Sequence, residues 1–319
     1  MTETEAGLPM DDMIYSCDDH LDLRAVRVDL WQSRVPKSMA ERAPRVVDRD
    51  GQATWVCNDR VVGASGKPLA NLSAIGRAGL EDDDFRASTT KLRLEDMDRD
   101  GVWASVIYGP VPLTLSIPEP DLQDVCYAAW NDWAVEEFNA AAPDRLCVLP
   151  FLPSHSPEAA VAELERCAER GHRGALIDAF DFDAGDPVWD RLWAAAEATG
   201  LPLVLAEAGV GWLPYFLSRM DMEWENLRDQ IDYAPSIPPS ELFRHQVIAT
   251  FEEEKLADQF IPYLGADSCM WASDYPHTDS TFPESRRAIE EALGTLPVED
   301  RRKITALNCK ALYRFDDAG

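Results

Sequence analysis

Residues 146–179 read LCVLPFL, PSHS, PEAAVAELERCAER, GHR and GALIDA in unbroken succession. Two short apolar runs flank a segment with the amphipathic spacing of a helix. Ser156 supplies an N-cap, Pro157 suits the first turn and Gly171 follows the last, so the spacing predicts a helix over 157–170. A strand, a helix and a second strand, with both strands apolar on two faces, imply parallel strands covered by helices.

The same alternation runs outward in both directions. A first strand begins near Met13, and others are predicted at 103–108, 146–152, 174–179, 203–206, 246–251 and 269–273. Helices are predicted near 121–141, 157–170, 187–199, 213–229, 255–263, 283–294 and 298–312. No glycine-rich fingerprint or phosphate-loop lysine follows any strand, which weakens an open nucleotide-binding sheet and favours a barrel. The expected fold is α/β, a TIM-like (β/α) barrel with seven recognisable strands, and residues 1–319 make one domain. Residues 23–100, rich in Gly, Asp and Arg, form a long insertion after the first strand, expected to cap the barrel mouth or to contact a second copy of the chain.

The 319 residues carry a formal net charge of -28, which argues against nucleic acid or an anionic membrane as a partner. Residues 24–49 depart from that balance, with Arg24, Arg27, Arg34, Lys37, Arg42, Arg45 and Arg49 against three acidic side chains. Intramolecular salt bridges are the favoured reading of this stretch, and an anion-binding lobe the other. Seven scattered cysteines fit reduced core positions, the amino terminus lacks the features of a signal peptide, and no stretch reads as a membrane span, so a cytoplasmic address is expected.

In a barrel the strand ends share one mouth, and the scarce histidines gather near such ends. The first strand runs into Cys17-Asp18-Asp19-His20-Leu21-Asp22, where alternation puts Asp18, His20 and Asp22 on one face and Asp19 and Leu21 on the other. Converging ligands of this kind resist burial unless a cation neutralises them. Glu207 ends 203–206, Glu252 and its neighbours end 246–251, and Asp274 and His277 end 269–273. Asp178 and His155 are possible additions, weighed against an acidic loop and a helix-start hydrogen bond. His172 and His245 precede strands, at the far end, where residues serve stability.

Three segments resemble the amidohydrolase superfamily, in the branch of the aminocarboxymuconate-semialdehyde and resorcylate decarboxylases. They are the first-strand segment with Asp29-Leu30-Trp31 and 42–47 behind it, the segment 207–215, and Ser273-Asp274-Tyr275-Pro276-His277. The resemblance implies a barrel holding one or two divalent ions. His20 with Asp18 or Asp22 would be ligands from the first strand, and Asp274 the ligand from the last. The chain departs from the family in the middle. Gly200-Leu201-Pro202 leads directly into 203–207, as though a strand–helix unit were missing, and no histidine stands where the fifth-strand ligand belongs. Glu207 also stands where many relatives carry a sixth-strand histidine.

The expected metal ligands are therefore Asp18, His20, Asp22, Glu207 and Asp274, holding Zn, Mn or Fe. Asp274, Glu207 and His277 are the expected catalytic residues. The favoured reaction is hydrolysis of an amide, ester or thioester of a small molecule by metal-activated water, in a homodimer. Non-oxidative decarboxylation of an aromatic or unsaturated acid is the alternative, and a scaffold without catalysis is a third reading.

Overall fold

The computed structural model describes residues 13–66, 73–82, 85–110, 117–177, 183–204, 209–230 and 234–315. Its strands are β1 (Ile14–His20), β2 (Arg45–Arg49), β3 (Gln52–Cys57), β4 (Arg60–Ala64), β5 (Val102–Tyr108), β6 (Leu146–Val148), β7 (Phe151–Leu152), β8 (Ala175–Ile177), β9 (Leu203–Val204), β10 (Ala249–Phe251) and β11 (Cys269–Trp271). β1 pairs with β5 and β5 with β6, β7 with β8 and β8 with β9, and β10 with β11, all in parallel.

β6 and β7 are two halves of one strand. Pro150 has no N–H for the ladder, and at this break the strand changes neighbour: Leu149 N donates to Ile107 O on one side, and Leu176 N to Pro150 O on the other. β1 and the end of β11 are joined by Asp274 N to Asp18 O at 3.0 Å and His20 N to Tyr275 O at 2.8 Å. The spatial order is thus β10, β11, β1, β5, β6/β7, β8, β9, seven parallel positions that match the seven runs read in the sequence.

Seven parallel strand positions among helices bear out the α/β class, and among the described residues no ladder joins β9 to β10. The seam is bridged instead by a side chain: Val210 N donates to Glu254 Oε1 at 2.7 Å. Gly209, at φ +65°, lies so close to this carboxylate that a Cβ would sit 2.6 Å from Oε1. The predicted strand 246–251 is also shortened, because Pro239–Gln246 is a helix that ends on Gln246.

The insertion contains an antiparallel meander, β2-β3-β4, which the reading of the sequence missed. Its signals are the two-residue turns Asp50-Gly51 and Asn58-Asp59, all four residues at positive φ, as tight hairpin turns require. Fully buried Trp55 of β3 meets Trp31 edge-on at 5.5 Å, and Trp31 stacks on Trp130 at 6.3 Å. Four of the seven basic residues of the stretch 24–49 make salt bridges among the described residues: Arg34 pairs with Glu136 and Glu137, Arg27 with Asp29 and Glu137, Arg42 with Asp121 and Arg45 with Asp59. All seven cysteines are buried and free, and among the described residues no helix is long and apolar enough to cross a membrane.

His172 is buried, with Nε2 3.1 Å from Asn131 O, and burial pushes its pKa down to about 4. Its folded pKa lies below the unfolded value, so the unfolded chain binds the extra proton. Its contribution is complete above pH ~6.5 and is lost as pH falls toward 4. The urea midpoint of His172→Gln should therefore depend less on pH between 6.5 and 5 than that of the wild type, and an identical slope contradicts this. Gly209→Ala should cost about 1–2 kcal/mol in denaturant unfolding, from the positive φ and the displaced Glu254; an unchanged midpoint contradicts the seam.

Candidate metal centre

All of β1 is buried, its four polar side chains Ser16, Asp18, Asp19 and His20 included. The apolar side chains of the strand cover its sheet, and the polar ones are tolerated because each finds partners at the strand end. His20 Nε2 lies 3.1 Å from Asp18 Oδ1 and 2.8 Å from Asp274 Oδ1. His277 Nδ1 lies 2.9 Å from the same Asp274 oxygen, and its Nε2 lies 3.3 Å from Asp22 Oδ1. The two imidazoles stack with centroids 3.9 Å apart and an interplanar angle of 21°.

Asp274 follows β11 at φ +56°, a left-handed conformation that aspartate tolerates better than most residues. This turn brings its carboxylate back over β1 and puts His277, three residues on, beside it. Asp274 Oδ1 is buried, with one nitrogen of each imidazole within 3 Å of it. His20, Asp274 and His277 lie close enough together to hold a metal ion, and Glu252, Asp274 and Asp279 form an adjoining group.

The charges respond to this crowding. Burial alone would push both histidines down, but the facing carboxylates outweigh it and raise His20 to about 9 and His277 to about 11. Burial would raise Asp274, yet the two imidazoles hold it at about 2. Asp22 is likewise lowered, its pairing with His277 overcoming burial. Glu252 goes the other way: burial, then the charges of Asp274, Asp18 and Asp279, push it up to about 8.

These groups open on a cavity of about 470 Å³ lined by Asp18, Gly209, Thr250, Phe251, residues 252–254, Ala272, Asp274, His277 and Asp279. Among the described residues no lysine or arginine lines the cavity, and the positive charge there is that of the imidazoles of His20 and His277.

The structure brings together Asp18, His20 and Asp274 from the expected ligand set, with Asp22 at the rim bonded to His277. Glu207 and Asp178 lie outside the described residues. His155 is not in the cluster; its Nε2 sits 2.7 Å from Asp124 Oδ1 at the surface. His245 is exposed on the helix Pro239–Gln246. With His172 buried elsewhere, His20 and His277 are the two of the chain's five histidines within reach of the cluster. His277, expected among the catalytic residues, lies beside Asp274, and Asp279, which the strand-end pattern does not single out, joins the adjoining acidic group.

The amidohydrolase family model matches residues 119–238 and 195–315, together more than half of the chain. The gamma-resorcylate decarboxylase of Rhodococcus jostii (strain RHA1) is 32% identical over 304 aligned positions, covering 70% of this chain and 87% of the relative. That alignment is longer than the part of this chain it uses, so the relative carries stretches with no counterpart here. Among solved structures, an amidohydrolase from Mycobacterium avium subsp. paratuberculosis K-10 superposes with TM-score 0.76 at 16% identity, over 94% of this chain and 97% of the other. A dihydroxybenzoic acid decarboxylase from Polaromonas sp. JS666, with bound manganese and the inhibitor 2-nitroresorcinol, gives TM-score 0.63 at 16% identity, over 95% and 97%. The expectation of a hydrolase is corrected by these matches, since the curated relatives are decarboxylases. The physical reason is that a histidine–carboxylate metal site polarises a carboxylate as readily as it activates water, so ligand residues alone do not choose the bond broken. On the family match and the 32% identical relative together, this chain belongs to the amidohydrolase family.

Proposed function

We propose that the protein is a metal-dependent, non-oxidative decarboxylase of an aromatic carboxylic acid. The observation that carries this reading is the convergence of Asp18, His20, Asp274 and His277 on one point of a cavity whose lining is otherwise acidic. The curated relatives and the manganese-containing structural neighbours support it.

Asp18, His20 and Asp274 would hold the ion, with His277 as the remaining nitrogen donor and Asp22 orienting His277 from behind. A divalent ion held there would supply positive charge to the substrate carboxylate. The protein's own side chains have two further tasks. Loss of carbon dioxide leaves a ring carbon that must gain a proton, and Glu252 and Asp279 line the cavity beside Asp274, placed to deliver one. Phe251 and Ala272, buried apolar residues of the lining, would keep water from that carbon.

The insertion belongs to the same proposal as a cap. Its residues Ala74, Ile75 and Ala87 pack on Tyr275 and Phe282, and Arg77 donates to Ser280 O at 3.0 Å, so it is tied to the loop that carries His277. The homodimer has support in Tyr215, Phe216, Met220 and Met222, exposed along the helix Leu213–Leu227.

The test is product and metal analysis together. Protein loaded with Mn²⁺ and given gamma-resorcylate and related hydroxybenzoic acids should release carbon dioxide with one ion per chain. Two ions per chain and no carbon dioxide from any of these acids would overturn the reading. Asp274→Ala should lower turnover at least ~100-fold, because it removes a ligand placed between both histidines; near-normal turnover would remove Asp274 from the mechanism.

A further inference from the structure

Behind the metal-facing side of β1 lies a second polar cluster that the reaction does not use. Asp19 is 1% exposed and Arg93, from the helix Thr90–Asp100, is 0% exposed. Asp19 Oδ1 accepts from Ser16 Oγ and Ser273 Oγ, both at 2.7 Å, and from Tyr275 N at 3.2 Å. Its Oδ2 accepts from Ser105 Oγ and faces Arg93 Nη2 at 3.4 Å. Arg93 Nη1 donates to His20 O at 3.0 Å and to Ala87 O at 3.1 Å. One carboxylate thus receives donors from β1, β5, the turn after β11 and the insertion.

The placement matters more than the number of bonds. Ser273 and Tyr275 flank Asp274 on both sides, and Asp19 sits between Asp18 and His20. Asp19 Oδ1 therefore ties the residues on either side of one ligand to the strand that carries the other two. A buried carboxylate and guanidinium are a costly pair to desolvate, and hydrophobic replacements of similar volume are often at least as stable. Stability alone does not account for this arrangement.

We propose that Asp19, backed by Arg93, is a positioning residue that sets the separation of Asp18 and His20 from Asp274 and so determines metal affinity. The inference rests on the metal centre proposed above and does not depend on which reaction that centre catalyses. Groups that orient metal ligands from behind typically govern affinity by ~10–100-fold. Arg93 neutralises Asp19, which keeps that carboxylate from turning toward the ion.

The test is Mn²⁺ affinity by titration calorimetry, with the bound-ion EPR spectrum as a second readout. Asp19→Ala should weaken Mn²⁺ binding at least ~10-fold and broaden the EPR signal as the ligand geometry loosens. Asp19→Asn, which keeps an oxygen at the Oδ1 position, should recover affinity to within about threefold of the wild type. Leu164→Ala, in a separate apolar cluster around the helix Pro157–Glu169, should lower stability and leave affinity unchanged. Should Asp19→Ala not fold, Ser273→Ala takes its place, with affinity expected to fall about three- to tenfold.

Unchanged affinity in Asp19→Ala or its substitute, an Asn variant as weak as the Ala variant, or equal loss in Leu164→Ala would each overturn the proposal. Wild-type protein that binds Mn²⁺ and releases no carbon dioxide would sink the decarboxylase reading and leave this inference standing. Wild-type protein that binds no Mn²⁺ would overturn both.

Discussion

The carboxylate of Asp274 facing two stacked imidazoles across less than 3 Å is the contact on which the mouth of this protein depends. It requires a left-handed backbone at Asp274, backbone bonds between β1 and the turn after β11, and a buried carboxylate at Asp19 to hold that turn. Each is a local cost that the fold meets with hydrogen bonds contributed by distant segments. The helix Thr90–Asp100 contributes Arg93, β5 contributes Ser105, and the insertion packs Ile75 and Ala87 against Tyr275. The insertion is therefore continuous with the machinery that seats the ligands.

The period-two pattern of β1 made Asp18 and His20 legible as neighbours, because a strand admits only two faces. Asp274 was legible because an apolar run delivered it to a strand end. The role of Asp19 was not, since its partners lie up to 256 residues away and the pattern says only that it faces away from His20. The contact of His277 with Asp274 is not readable from spacing either: three residues past the strand end, its direction is set by the left-handed turn at Asp274. In the fold, strand–helix alternation carried all seven parallel positions, because burial on both faces leaves a strong apolar signature. The meander was missed because its strands are half-exposed, and its only sharp signals are two dipeptide turns.

The family relationship and the departures from it have one physical theme. The chain belongs to the amidohydrolases, yet no histidine follows β9, and β9 and β10 are not joined by a ladder among the described residues. The nitrogen donor that the resemblance places on a fifth strand has no counterpart there, and His277 stands close to the cluster from the other side. The seam is bridged by Glu254, whose carboxylate reaches Val210 N and leaves room only for glycine at 209. The described lining of the cavity carries more carboxylates than imidazoles, and a divalent ion bound there would offset that negative charge.

Crystals of the protein loaded with Mn²⁺, measured at the manganese absorption edge, should show one anomalous peak within coordinating distance of His20 Nε2, Asp274 Oδ1 and a nitrogen of His277. A peak that excludes His20 and Asp274, or no peak from protein shown to be folded and saturated with Mn²⁺, would contradict this metal centre.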